Sequence, residues 1–238
     1  MVRKVYRNKG SKDNIVISIA GAHGVGKTTV YELLKKKLHD NLKFKFFPER
    51  YKKIPPFPFG SSNKQIAFRS EFHFLQQLTK RNRNIINYDE RYNGRIIILD
   101  RTPACILVYS KSLNLKEKDY NLIVDMYDSV KWREDYVIYL AAEPETILKR
   151  IRQRGSLEKA RKEWNEYEKE YLISILSYYN QFVLSKKEKD KVIILDTNEV
   201  SPEQVALKVE DIISTLTDYS FEKQVKQPDQ TDLMKFLQ

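Results

Sequence analysis

Gly21, Gly24, Gly26, Lys27 and Thr28 fall within a stretch, Gly21-Ala22-His23-Gly24-Val25-Gly26-Lys27-Thr28, that fits G-x-x-x-x-G-K-[ST] at every fixed position. Glycines let a backbone fold tightly around an anion with its N–H groups pointing inward. A helix that begins there adds the partial positive charge of its N-terminus. In such a loop Lys27 would reach the β- and γ-phosphates of a nucleotide, and the Thr28 hydroxyl would sit on Mg²⁺. The alternative is a chance Gly-rich turn, but three of the seven glycines fall in this one stretch.

The elements on either side are those the motif requires. Ile15-Val16-Ile17-Ser18-Ile19-Ala20 is a β-branched apolar run that reads as a buried strand. From Thr29 to Leu38 the apolar residues recur at helical spacing. A short strand is expected at Phe44–Phe47, then a rigid loop over 48–60 holding four of the eight prolines, then a helix started by Ser61-Ser62-Asn63 and running from Lys64 to about Tyr88. Arg95–Asp100 reads as a third strand, with Thr102 capping and Pro103 opening the following helix. A helix over roughly 116–130 precedes a strand at Tyr136–Leu140. Pro144 opens a helix expected to stop at Gly155. A long helical stretch is expected from about Leu157 to Leu184, then a fifth strand, Val192–Asp196, and a last helix opened by Ser201-Pro202. Alternating strands and helices imply an α/β fold with a parallel sheet covered on both faces and ligands at the C-terminal strand ends.

Composition bounds the alternatives. The 238 residues suit one domain: a charged, mobile arm at 1–13, a nucleotide-binding domain at 14–217 with a lid at about 149–160, and a polar tail at 218–238. No apolar run approaches the roughly 20 residues of a membrane span. The segment from Met1 to Lys12 lacks an apolar core, so no secretory signal is expected. The single Cys105 cannot form an internal disulfide. These features point to the cytoplasm. A net charge of +11 suits anionic ligands, but the basic residues are mixed with acids and no nucleic-acid-reading motif is present, so a nucleic-acid partner is not expected.

Other residues could complete the chemistry. Asp100, an acid at a strand end, could hold Mg²⁺ directly or through water. Arg101 could clamp a phosphate or orient a neighbouring carboxylate. Glu49 could take a proton from an attacking hydroxyl, or be a plain loop acid. Arg150, Arg152 and Arg154 could form a mobile lid over a moving phosphoryl group, or a solvated helix face. Gln76 or Gln77 could read a base edge and Phe74 could stack on its ring; the alternative is core aromatics with surface amides. His23 reads as a loop-shaping residue. An N-K-x-D motif is incomplete at Asn63-Lys64-Gln65-Ile66, and no L-S-G-G-Q-like signature occurs.

Residues 14–196 resemble the deoxynucleoside kinase and thymidylate kinase branch of P-loop kinases. The features that carry the resemblance are Pro48-Glu49, Asp100-Arg101-Thr102, Pro144-Glu145 leading to Arg150-Ile151 and Arg154-Gly155, and Tyr171-Leu172 with Tyr179 and Phe182. The resemblance implies a five-stranded parallel sheet with helices on both faces and a small helical lid. It implies ATP and Mg²⁺, with the γ-phosphoryl passing to a nucleoside hydroxyl or a nucleoside monophosphate. By the same likeness Glu49 would be the general base, Asp100 and Arg101 the family's acid–arginine pair, Arg150 and Arg154 the lid arginines, and Gln76 or Gln77 the base reader. The loop Gly21–Thr28 with Thr29 would hold ATP, and Thr28 and Asp100 the metal. Phe74 and Arg101 would touch the acceptor, and a homodimer is admitted. Departures are His23 before the second loop glycine, Arg50 after Glu49, Thr102 where such kinases carry Ser, and Ser156 where they carry Arg. A kinase of another metabolite and a non-catalytic ATP-binding module remain the alternatives.

Overall fold

A computed structural model describes residues 13–49, 61–153, 167–185 and 190–221. Five strands, β1 (Ile15–Ala20), β2 (Phe44–Phe47), β3 (Ile96–Asp100), β4 (Tyr136–Ala141) and β5 (Val192–Asp196), form one sheet in the order β2-β3-β1-β4-β5. Every pairing is parallel. Among the described residues the α-helices are α1 (Lys27–Leu38), α2 (Lys64–Arg91), α3 (Cys105–Ser112), α4 (Glu117–Asp128), α5 (Pro144–Gln153), α6 (Lys169–Tyr179) and α7 (Pro202–Leu216). The expected five-stranded parallel sheet flanked by helices is therefore present.

Central strands buried on both faces read as unbroken apolar runs, and β1 and β3 are buried through Val16–Ala20 and Ile96–Asp100. Alternate side chains go to opposite faces: Ile17, Ile19, Ile96 and Ile98 join the main core, while Val16, Ile97 and Leu99 pack with Ile85 of α2. Local signals set the helix ends. Asn63 accepts from the backbone N–H groups of Gln65 and Ile66 at the start of α2, and Ser201 with Gln204 forms a capping box on α7.

Several boundaries differ from the sequence expectation. α3 starts at Cys105 rather than at Pro103, because i→i+3 bonds from Cys105 to Thr102 and from Ile106 to Pro103 make a tight turn first; Thr102 Oγ1 accepts from Ala104 N within it. Strand β3 begins at Ile96 rather than Arg95. Of the stretch 157–184, residues 157–166 lie outside the described residues; α6 follows from Lys169 and gives way after Tyr179 to a π-helical turn over Asn180–Leu184, closed by Ser185 N donating to Asn180 O at 2.9 Å. The arm through residue 12, loop residues 50–60, lid residues 154–160 and the tail from residue 222 lie outside the described residues. Among those described, no helix is long and apolar enough to cross a membrane.

Register delivers the site. Ile19 of β1 pairs with Asp100 of β3, and Ala20 with Tyr139 of β4, so the glycine loop leaves the centre of the sheet with Asp100 beside it. Gly21 has φ 140°, and a Cβ there would lie 2.6 Å from the Leu140 carbonyl oxygen. Backbone is an unyielding neighbour, so Gly21→Ala is expected to destabilise the fold by about 1–3 kcal/mol, the range for overpacked sites. Urea unfolding of the ligand-free protein measures this; an unchanged midpoint would contradict the close approach.

Candidate active site

The loop after β1 is an anion cradle backed by a helix. Gly26 caps α1 at φ 110° and no side chain caps the helix, which leaves its first N–H groups for a ligand. Lys27 is 4% exposed and its Nζ donates to Ala22 O at 2.7 Å. Burial, aided by Arg101 and opposed by Asp100 and Glu49, pulls the Lys27 ammonium down to about 7. Gly24 lies against α5, where a Cβ would meet Ile151 at 2.6 Å. The His23 ring stacks on Tyr171 of α6 at 6.0 Å and tilts against Tyr109 of α3 at 6.4 Å, so this loop residue ties the cradle to two helices.

The oxygen donors for a hard cation converge beside it. Thr28 Oγ1 donates to Asp100 Oδ2 at 3.2 Å, and Asp100 Oδ1 is buried without a hydrogen-bond partner. A hydroxyl and a carboxylate with a free buried lone pair are a donor set suited to Mg²⁺, which takes oxygen ligands.

Next to Asp100 the chain turns sharply. Arg101 has φ 72°, a left-handed conformation that a non-glycine residue adopts at a cost of order 1–3 kcal/mol. Arg81, 3% exposed on α2, holds the turn in place: its two terminal nitrogens donate to Asp100 O and Arg101 O. Arg101 can then reach Glu49 at the end of β2, Nε to Oε2 2.7 Å. Its guanidinium also lies 5.8 Å from the Phe74 ring centroid and 5.7 Å from that of Tyr109. Burial works against the Arg101 charge, but Glu49 holds it firmly protonated. Burial raises the Glu49 carboxyl above the usual range although Arg101 and Lys27 oppose that. One carboxylate oxygen is thus paired, while Oε1 is buried without a partner.

The remaining expected site residues are placed differently. Gln76 is exposed, about 160° around α2 from Phe74, away from the buried face. Gln77 is half-buried on the flank. The face turned inward carries Glu71, Phe74, Leu78, Arg81 and Ile85. Arg150 is anchored: Nη1 donates to Val25 O at 3.1 Å and to Thr197 Oγ1 at 3.0 Å, and Nη2 to Thr197 O. Its fork braces the glycine loop against the end of β5. Arg152 is exposed, and Arg154 lies outside the described residues. Sequence reasoning missed that Arg81 supports the Asp100–Arg101 turn and that Glu71 is buried. The 3-and-4 spacing of 71, 74, 78, 81 and 85 carried the signal, since it places both charges on the apolar stripe.

The deoxynucleoside kinase family model matches residues 17–219. The chain belongs to the deoxynucleoside kinase family. Membership makes it a phosphotransferase acting on nucleosides and sets aside the other-metabolite and non-catalytic alternatives. A deoxyadenosine/deoxycytidine kinase of Bacillus subtilis (strain 168) is 25% identical over 209 residues, covering 83% of this chain and 94% of the relative. The fold matches a deoxyadenosine kinase from M. mycoides with bound dATP, TM-score 0.64 at 24% identity, over 84% of this chain and 100% of that one. It also matches the M. mycoides enzyme with products dCMP and a flexible dCDP bound, TM-score 0.63 at 21% identity, over 85% and 100% of the two chains.

Lys27 gives a direct test of the cradle. With its free value near 7, the side chain is roughly nine-tenths neutral at pH 8, and a polyphosphate favours the ammonium. Nucleotide binding at pH 8 is therefore expected to take up close to one proton, and affinity to rise as pH falls from 9 towards 7. Calorimetry in buffers of different ionisation enthalpy measures the uptake, which Lys27→Met should abolish.

Proposed function

We propose that this family member transfers the γ-phosphoryl group of Mg²⁺-ATP to a primary hydroxyl of a deoxynucleoside. The observation that carries this reading is Glu49: one oxygen is fixed by Arg101 at 2.7 Å, and the other is buried and unpartnered beside the glycine loop. The amino-bearing bases named for the relatives, adenine and cytosine, are the acceptor class this reading adopts.

Phosphoryl transfer asks a protein mainly to position and to place charge. The loop N–H groups and Lys27 would bind the phosphate chain. Thr28 and Asp100 would hold Mg²⁺, which when bound offsets phosphate charge. Glu49 Oε1 would accept the proton of the attacking hydroxyl, and its raised affinity for protons suits a base working near neutrality. Arg101 would hold that carboxylate in place and, with Phe74, wall the acceptor. Arg150 would brace the loop through Val25, and Arg154 would keep the lid role that the family resemblance implies.

Glu49→Gln removes the proton acceptor and keeps the shape. It is expected to lower kcat by about 10²–10⁴-fold, the usual contribution of a positioned base, with little change in ATP affinity. In the wild type the rate should fall as pH drops through a value above the ordinary glutamate range, because the raised group must be ionised to act. Steady-state rates with deoxyadenosine against pH test both; an acid limb unchanged in the Gln variant would remove Glu49 from the role.

A further inference from the structure

Ser18, in the middle of β1, is a fully buried hydroxyl between Ile17 and Ile19. Thr102, directly after Arg101, is equally buried. One carboxylate answers both. Ser18 Oγ donates to Glu134 Oε1, and Thr102 Oγ1 donates to Glu134 Oε2 at 3.2 Å. Glu134 stands in the segment that leads into β4, and α2 and β1 hold that segment in place. Asn82 of α2 donates to Lys131 O at 3.0 Å and accepts from Arg133 N at 2.9 Å. Asp135 N donates to Val16 O at 2.9 Å, and Asp135 Oδ2 accepts from Val16 N at 2.9 Å. The carboxylate therefore reaches the turn after β3 from a backbone fixed on both flanks. Its charge has an opposite there. Burial pulls the Arg81 guanidinium down from its ordinary value, and Glu134 is one of the carboxylates, with Glu49 and Asp100, that oppose this. The strained Arg101 is thus held from two sides: Arg81 takes the Asp100 and Arg101 carbonyls, and Glu134 takes the Thr102 hydroxyl that also accepts from Ala104 N at 3.3 Å.

We infer that Glu134 is a positioning residue for the phosphoryl transfer: by anchoring Thr102 and balancing the Arg81 charge it keeps the left-handed turn at Arg101 closed, and so keeps the Arg101 guanidinium on Glu49. The assignment rests on the kinase reading with Glu49 as the base. It acts through Arg101, whose Nε lies 2.7 Å from Glu49 Oε2. Glu49 is faced by Lys27 of α1, Arg81 of α2, and Asp100 and Arg101 after β3. Burial raises its proton affinity and Arg101 lowers it. Loosening Arg101 therefore raises that affinity further, and the acid limb of the rate moves to higher pH. Mere loss of a distant negative charge would move the limb to lower pH.

The test is Glu134→Gln, which keeps the shape but carries no charge and offers an acceptor at one of the two oxygen positions. Thr102→Val removes the Thr102 bond alone, and Thr102→Ser keeps it. Single-turnover transfer from Mg²⁺-ATP to deoxyadenosine is followed against pH. Glu134→Gln and Thr102→Val should each lose on the order of 10–10²-fold in rate, the scale of a remote misplacement, with the acid limb at higher pH. The ATP dissociation constant should stay within a few-fold of wild type, because Arg150 and Thr197 brace the glycine loop separately. The double variant should lose little more than either single one, and Thr102→Ser should stay near wild type. Melting temperatures show that each variant is folded; if Glu134→Gln is not, Thr102→Val carries the test. An acid limb that stays in place or moves to lower pH in a folded variant would overturn the assignment and leave the kinase reading standing. Wild-type protein that phosphorylates no nucleoside would overturn the reading on which it rests.

Discussion

Lys27, Arg81 and Asp100 are buried and Arg101 and Glu49 half-buried in one cleft, three basic groups against two carboxylates. Removing such groups from water is expensive, and each is compensated in a specific way. Arg81 donates to the carbonyls of the Asp100–Arg101 turn, Lys27 to Ala22, and Arg101 pairs with Glu49. The residual positive charge suits an anionic ligand. The same exclusion of water moves Lys27 down and Glu49 up, which brings both towards neutrality, where one can bind phosphate and the other accept a proton.

That arrangement relies on a strained turn. Arg101 keeps a left-handed backbone because Arg81, seated on α2 by the apolar stripe around it, holds the two carbonyls that would otherwise turn elsewhere. The strain points the Arg101 side chain at Glu49, and α2 is thus a structural wall and the support of the turn at once.

Much of the fold was legible because burial writes itself into sequence. The β-branched runs at 15–20, 96–100 and 192–196 are strands, and Asn63 and Ser201 cap the helices they precede. The glycine loop was legible for a similar reason, since its geometry tolerates few residues. Legibility failed where residue type was a poorer guide than phase. Gln76 and Gln77 drew attention because amides read bases, but helical phase turns Gln76 outward and turns Glu71 in. An acid on an apolar stripe looks like a solvated residue until its neighbours are known. The positive φ of Arg101 and the π-helical turn after Tyr179 depend on tertiary contacts that no local pattern encodes. The anchoring of Arg150 belongs here too, because its partners lie 125 and 47 residues away.

The strand order divides the labour of the site. With β1 central, the groups on the acceptor side come from β2, α2, β3 and α3, all before residue 113, whereas the backing of the glycine loop comes from β4, α5 and β5, all after residue 135. The two halves meet along the central strand and its loop, and again where Tyr109 of α3 packs edge-on against Tyr179 of α6. On the proposed function, substitutions on the inner faces of α2 and α3 would bear on the acceptor more than on the bracing of the glycine loop by Arg150 and Thr197.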